Sequence, residues 1–163
     1  YRQLSDADVK AIAAYILSVP AVRNEISGPE MGEPLSVGKD VAELTVAAVS
    51  RDDPVAYGAY LAGPIGHCIE CHTPGSHGKF DYANNLGAGG RLFVGPWGES
   101  VASNITPTGL SRWTDDEIKT MISKGMRPDG SPMLPPMGYS YYANISDTDL
   151  DAIVAYLRSL PAK

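Results

Sequence analysis

The chain is organised around the pentapeptide Cys68-Ile69-Glu70-Cys71-His72. Two cysteines separated by two residues and followed at once by histidine form the attachment motif of a c-type haem. Each thiol adds to one vinyl group of the haem and leaves a thioether, and the adjacent His72 then lies beneath the iron as its proximal ligand. The 163 residues contain no other cysteine. The sequence therefore predicts one covalently bound haem c, attached through Cys68 and Cys71.

Two other interpretations of the motif compete with haem attachment. A thioredoxin-like dithiol requires a strand–helix–strand setting, whereas the residues around this motif are rich in glycine and proline. A zinc site built from Cys68, Cys71, His72 and His77 would need neighbouring ligands to serve one tetrahedral ion, with a spacing unlike that of zinc fingers. Haem attachment is the favoured interpretation.

A haem iron held by His72 has a second axial position. Methionine often fills this position in electron-transfer proteins, because its thioether raises the reduction potential. Four methionines follow the motif: Met121, Met126, Met133 and Met137. The first two lie in or just after a predicted helix, whereas the last two lie in the proline-rich loop 127–139, which is stiff without being helical. Met137 is the preferred iron ligand, and Met133 is the alternative.

Composition and charge exclude several classes of partner. The net charge is −6, from 13 basic and 19 acidic residues, and an acidic chain is a poor partner for nucleic acid. No apolar run approaches the roughly 18 residues of a membrane span, so no transmembrane segment is predicted in this chain. Haem is attached to this motif outside the bacterial cytoplasm. The expected location is the periplasm, with any membrane association made through a partner or a missing segment.

The two ends of the chain repeat each other. Residues 1–21 and 142–162, at an offset of 141, are identical at 11 of 21 positions. Both segments have a serine and an aspartate at capping spacing, a helical apolar period and a terminal proline. Such a repeat indicates two copies of one structural unit. Residues 1–21 are therefore interpreted as the closing helix of a preceding, missing haem domain.

The remaining sequence divides into a linker and one haem domain. Residues 22–50 are acidic and rich in turn residues, which is typical of a linker, and residues 51–163 form the haem domain. Helices are predicted to begin at Asp53-Pro54, at Thr114 and at Ser146. The run Gly95-Pro96-Trp97-Gly98 predicts a short β-hairpin. The expected fold class is an all-α haem wrap with long Gly- and Pro-rich loops.

Some residues are expected to support the haem without binding iron. The carbonyl groups near Pro74 are expected to accept the ring N–H of His72 and so to orient it. Arg91, Asn104 and Trp113 are candidates for hydrogen bonds to the haem propionates or to the methionine loop, although ordinary packing and capping explain them equally well.

The chain resembles a known family along the whole of residues 51–163. It resembles the cytochrome c subunits that serve bacterial membrane-associated dehydrogenases, including the multi-haem subunits of alcohol and gluconate dehydrogenases and of molybdenum hydroxylases such as isoquinoline oxidoreductase. The motifs that carry this resemblance are Tyr60-Leu61-Ala62, Gly66-His67-Cys68-Ile69-Glu70-Cys71-His72-Thr73-Pro74, Gly89-Gly90-Arg91, Asn104-Ile105-Thr106-Pro107, Thr108-Gly109, Trp113-Thr114-Asp115-Asp116-Glu117-Ile118, Arg127-Pro128-Asp129-Gly130 and Pro135-Pro136-Met137-Gly138-Tyr139.

The resemblance implies a class I cytochrome c-like fold and a function in electron transfer. In this family the methionine before a Pro-Tyr or similar pair ligates iron, which corresponds to Met137; here Gly138 replaces the usual proline. The implied role is one-electron transfer with His72 and Met137 as axial ligands, without catalysis by this chain. Electrons would pass from a dehydrogenase, or from a preceding haem domain, to a cytochrome, an oxidase or a quinone of the respiratory chain. The alternative is a haem enzyme with an open or displaceable sixth position, peroxidase-like or acting on a sulfur compound.

Overall fold

The structure, a computed structural model, describes residues 1–24, 45–76 and 79–163. The chain divides into two compact units, Arg2–Ala48 and Val49–Lys163, with Tyr1 assigned to the second. Most of the predicted linker, residues 25–44, lies outside the described residues, as does His77.

The smaller unit contains one described helix, α1 (Asp6–Ser18). The helix begins as predicted, because the Ser5 hydroxyl accepts the backbone N–H of Asp8 at 3.1 Å and so satisfies one of the donors of the first turn. The backbone N–H of Asp6 also donates to the carbonyl of Val46 at 3.0 Å. The first helix of the sequence prediction is therefore confirmed.

The larger unit is built from short helices joined by loops. Its helices are α2 (Pro54–Tyr60), a π-helical turn (Leu61–Ile65), α3 (Cys68–Cys71), α4 (Tyr82–Asn85), α5 (Pro107–Leu110), α6 (Asp115–Lys124), α7 (Tyr139–Tyr142) and α8 (Asp147–Ser159). Its strands are β1 (Gly75–Ser76), β2 (Lys79–Phe80), β3 (Leu92–Gly95) and β4 (Gly98–Val101), which form two antiparallel hairpins. The second hairpin is the predicted one. Because strands are present in both hairpins, the structure is mainly helical but not purely all-α.

Local capping explains where the longer helices begin and end. The Asp53 carboxylate accepts the N–H groups of the first turn of α2, with Pro54 in the first helical position. Thr114 and Glu117 form a reciprocal capping box at the start of α6. Gly125 ends α6 with a φ of 64°, a left-handed conformation that suits glycine.

The core is built around α8, and α2 packs closely against this helix. The two helices approach so closely that a Cβ atom built on Gly58 would lie 1.9 Å from the carbonyl oxygen of Ala152. A side chain at position 58 is therefore excluded by backbone atoms. The buried core consists of Ala62, Leu110, Ile118, Met121, Ile153, Val154, Leu157 and Leu160. These residues come from α5, α6, the π-helical turn, and α8 with its C-cap residue Leu160, so the turn that leads into the haem motif contributes Ala62 to the core.

Candidate haem site

The haem motif follows directly from the π-helical turn. Pro64 has no N–H group, and the chain passes it with a wide turn in which the N–H of Gly66 donates to the Leu61 carbonyl at 2.7 Å. Pro64 lies inside this helical path, which continues to Ile65 although a proline ordinarily ends a helix. This turn delivers the chain into α3, which is a single helical turn.

The helical spacing of α3 brings the three motif residues together. Cys68 and Cys71 are three residues apart and His72 is four residues after Cys68, so all three share one side of the helical turn. The N–H of His72 donates to the Cys68 carbonyl at 2.9 Å and closes this turn. All three side chains line one cavity.

The cavity wall is completed by two distant parts of the chain. One part is strand β4 with the residues that follow it, including Ser103, and the other is the predicted ligand loop, including Met133 and Met137. The hydroxyl of Ser100 donates a short hydrogen bond to the Pro135 carbonyl and so joins these two parts. The structure thus places the predicted attachment and ligand residues Cys68, Cys71, His72, Met133 and Met137 around one cavity.

His72 is oriented for metal binding by a backbone carbonyl. Its Nδ1 lies 2.7 Å from the Ser103 oxygen. A carbonyl can only accept a hydrogen bond, so Nδ1 carries the proton and Nε2 is left with a free lone pair. Burial lowers the pKa of His72, and the hydrogen bond to Ser103 opposes this only in part. The imidazole is therefore neutral, which is the form that coordinates iron.

The orienting carbonyl differs from the one that was expected. The Pro74 oxygen accepts the N–H of Asp81 at 3.0 Å instead of the His72 ring. The acceptor belongs to Ser103, which is 31 residues away in the sequence. No local pattern marks Ser103, because its role depends only on where the fold carries the chain after β4.

The two cysteines have the wrong acidity for a reactive dithiol. Burial raises the pKa of Cys68 to about 11, and burial also raises the pKa of Cys71, although the nearby Arg91 opposes it. Redox-active Cys-x-x-Cys pairs instead have a lowered pKa, because the thiolate is the attacking group. The two thiols are also not joined in a disulfide. Within the described residues no cluster of three or more metal-ligating His, Cys, Asp or Glu side chains occurs.

The two candidate methionines differ in their surroundings. Met133 packs against the hydrophobic core, and its backbone N–H donates to the Gly125 carbonyl at 2.7 Å. Met137 lines the cavity but is not among the residues that pack against the described core. Met121 is buried in the core, as expected. Core packing therefore explains the position of Met133, whereas Met137 lies in the cavity wall without packing against the described core.

Arg127 is a cavity residue whose role the sequence analysis missed. Among the described residues that line the cavity, it is the only one with a permanent positive charge. Its Nη1 donates to the Pro132 carbonyl at 2.6 Å and to the Ser131 hydroxyl at 3.3 Å, which fixes the guanidinium to the loop. The sequence feature that could have indicated this role is a basic residue at the first position of the ligand loop. Arg127 can hold a carboxylate of a haem bound in the cavity.

The three residues predicted to contact propionates have other roles in the structure. Arg91 donates to the Glu70 carbonyl at 3.3 Å and lies over the ring of Phe93. Asn104 accepts the N–H of Thr106 at 2.8 Å, and Trp113 packs against the core. These contacts are the ordinary packing and capping that the sequence analysis had weighed.

Tyr142 connects α7 to the haem motif. Its hydroxyl donates to the Gly66 carbonyl at 2.8 Å, and the side chain lines the cavity. Burial raises the pKa of Tyr142 to about 12, so the phenol remains protonated and keeps its donor at neutral pH. The run of tyrosines at 139–142 gave no sign of which one would face the motif.

The donor set, the neutral histidine and the fixed cation fit a covalently attached haem, so the fold and site define a protein of the c-type haem class. The family model of cytochrome c matches residues 55–161. The chain therefore belongs to the cytochrome c family, whose class I-like haem fold fits the helical wrap around the motif.

Several curated proteins are similar to this chain. The cytochrome c subunit of a quinone-dependent alcohol dehydrogenase from Gluconobacter oxydans is 33% identical, covering 99% of this chain and 38% of the relative. The cytochrome c subunit of gluconate 2-dehydrogenase from Pantoea cypripedii is 30% identical, covering 100% of this chain and 41% of the relative. A diheme cytochrome c-type protein of Cereibacter sphaeroides is 36% identical, covering 64% of this chain and 35% of the relative. The chain thus spans about two fifths of the length of these relatives or less.

Proposed function

We propose that the chain transfers single electrons through one haem c, attached at Cys68 and Cys71 and ligated axially by His72 and Met137. The observation that carries the proposal is one shared cavity, where the motif and the ligand loop meet although His72 and Met137 are 65 positions apart in the sequence (137 − 72). Bound there, the haem iron would supply the redox chemistry by cycling between its ferric and ferrous forms. The chain itself would supply attachment, ligation and shielding.

Each cavity residue has a defined part in this proposal. The Ser103 carbonyl holds the His72 ring through Nδ1 and leaves Nε2 free to bind the metal, and electron density donated through this hydrogen bond would strengthen the ligand. The Met137 thioether favours the reduced state and raises the potential. Arg127 offsets the negative charge of a haem carboxylate. With His72 and Met137 both bound to the iron, electron transfer would need no substrate site at the metal.

Partners and location are proposed from the relatives. Two of them are named as cytochrome c subunits of dehydrogenases, which supports a dehydrogenase as electron donor to this chain. A downstream cytochrome, oxidase or quinone of the respiratory chain would accept the electrons. A periplasmic location agrees with haem attachment outside the cytoplasm. No helix in the described parts of the chain has the length and hydropathy needed to cross a bilayer.

The domain organisation also remains a proposal. Residues 51–163 form one haem domain, residues 22–50 the linker, and residues 1–21 the closing helix of a preceding haem domain. The repeat of 11 identities in 21 positions supports this assignment.

Visible spectroscopy with two matched variants tests the ligation. The purified protein should show sharp c-type bands when reduced, a weak far-red sulfur-to-iron band when oxidised, and no change with carbon monoxide. M137L should lose the far-red band and bind carbon monoxide, because leucine fills the space without a sulfur ligand. M133L should keep both wild-type properties. A wild-type protein that binds carbon monoxide would overturn the proposal in favour of the enzyme alternative, and a far-red band lost only in M133L would reassign the ligand.

A further inference from the structure

A turn rich in glycine lies between α4 and β3. It consists of residues 87–90, Gly-Ala-Gly-Gly, and we call it the glycine turn. Its three glycines all have a positive φ, at 74°, 77° and 83°. Gly87 and Gly89 are buried, although connecting segments ordinarily run over the surface. Because buried backbone groups need hydrogen-bond partners, the partners of this turn show what it holds in place.

One side of the glycine turn is bonded to the end of the haem motif. The N–H of Gly89 donates to the His72 carbonyl at 2.7 Å. The N–H of Gly87 donates to the Thr73 hydroxyl at 3.1 Å, and Thr73 is fully buried, with 0% exposure. These two bonds fix the backbone of His72 and of the residue that follows it.

The other side of the glycine turn is bonded to the segment that contains Ser103. The N–H at the end of the turn donates to the Ala102 carbonyl at 2.8 Å, and the carbonyl at its start accepts the N–H of Ile105 at 2.9 Å. Ser103 lies between these two anchored residues, and its own carbonyl accepts Nδ1 of His72 at 2.7 Å. The glycine turn therefore holds both partners of the hydrogen bond that orients the imidazole.

Gly89 lies where the turn comes closest to this segment. A Cβ atom at this position would be 2.6 Å from the Ser103 carbonyl carbon, 2.5 Å from the Asn104 nitrogen and 2.7 Å from the Ala102 oxygen. All three distances are shorter than the 3.0 Å that real Cβ atoms keep. The blocking atoms are backbone and cannot rotate away. A side chain here would push the Ser103 carbonyl away from the turn, and so from the histidine that the turn anchors.

We propose that Gly89 is a positioning residue for the axial ligand His72, because the absence of a side chain lets the Ser103 carbonyl reach Nδ1. Gly89 is not among the described residues that line the cavity, so it acts through the histidine and not by contact with the haem. The inference rests on the proposed function. A hydrogen bond on Nδ1 makes the imidazole a stronger ligand, which favours ferric iron. Weakening this bond should raise the reduction potential.

Two neighbouring glycines provide a matched pair of variants. G89A and G90A both place alanine at a positive φ, 77° and 83°, so both carry the same backbone strain. A Cβ atom on Gly90 meets no heavy atom within 4 Å, so only G89A displaces the Ser103 carbonyl. In a spectroelectrochemical titration of the haem-containing proteins, G89A should change the ferrous-to-ferric ratio by roughly tenfold, a rise of about 59 mV. G90A should keep the wild-type potential.

A second measurement observes the hydrogen bond itself. In the NMR spectrum of the reduced protein, the Nδ1–H proton of His72 should move upfield in G89A and exchange faster with water. The same resonance should stay in place in G90A. A purely structural role of Gly89 would lower stability without moving this resonance or the potential. A G89A potential equal to or below that of G90A, with an unshifted Nδ1–H resonance, would overturn the proposal.

A second pair of variants applies if G89A does not fold. T73V removes the hydroxyl that holds Gly87 and adds no atoms beside Ser103, whereas T73S keeps the hydroxyl. T73V should raise the potential by less than tenfold in the same ratio, and T73S should restore the wild-type value. A T73V protein with the wild-type potential and resonance would overturn the proposal. Carbon monoxide binding by the wild type would instead count against the proposed ligation by Met137, and the Nδ1–H resonance would still test Gly89.

Discussion

Replacing Gly58 by alanine is expected to destabilise the haem domain by about 2 kcal/mol. The new Cβ would lie 1.9 Å from the Ala152 oxygen. Real Cβ atoms essentially never approach another heavy atom closer than 3.0 Å, so α2 and α8 must separate by at least 1.1 Å (3.0 − 1.9). Overpacking of this kind costs about 1–3 kcal/mol. The upper value applies, because the blocking atoms are backbone and cannot rotate away. Alanine is the better helix former by about 1 kcal/mol, which leaves about 2 kcal/mol.

The assay is reversible denaturant unfolding of the haem-containing protein, followed by circular dichroism and by haem absorbance. For a chain of this size, 2 kcal/mol also corresponds to a fall of roughly 4–8 °C in Tm. G63A is the matched control, because its Cβ would meet only the Ile69 side chain, at 3.7 Å. G63A should be as stable as the wild type or slightly more stable. A G58A protein as stable as G63A would refute the close packing of α2 on α8.

Two further predictions concern the cavity. R127Q should lower the reduction potential, because a cation near the iron favours the reduced state. R127K should retain most of the wild-type potential, and a spectroelectrochemical titration measures all three proteins. Equal potentials in the three proteins would show that Arg127 does not act on the haem. The raised pKa of Tyr142 means that folding favours its protonated form. Its contribution to stability is therefore complete below pH 10 and is lost as the pH rises from about 10 to about 12. Y142F should lose this part of the alkaline pH dependence and about 1 kcal/mol at neutral pH, through loss of the bond to Gly66; unfolding curves that match the wild type at both pH values would contradict the assignment.

Short-range features were predicted from the sequence with good accuracy. The caps at Asp53, Thr114 and Ser146 and the hairpin at 92–101 appear where their patterns indicated. Each depends on groups within a few residues of one another, so the local sequence contains the whole interaction. The haem motif belongs to the same class, because Cys68, Cys71 and His72 occupy one helical turn.

Long-range features were not accessible in the same way. The sequence placed Met137 in a stiff loop, but not Arg127 in the cavity wall beside it. It indicated that His72 needs an acceptor, but the acceptor belongs to Ser103 and not to the neighbourhood of Pro74. The π-helical turn past Pro64 also escaped prediction, since proline ordinarily ends a helix.

The residues alone establish the class of cofactor, the starts of α2, α6 and α8, and the repeat between α1 and α8, because covalent attachment, capping and periodicity all act over a few positions. The folded chain establishes the partner of His72, the contact between Gly58 and Ala152, and the close approach of Gly89 to Ser103. These contacts join residues that are far apart in the chain. Their distances are set by how the helices close on one another, which no local pattern contains.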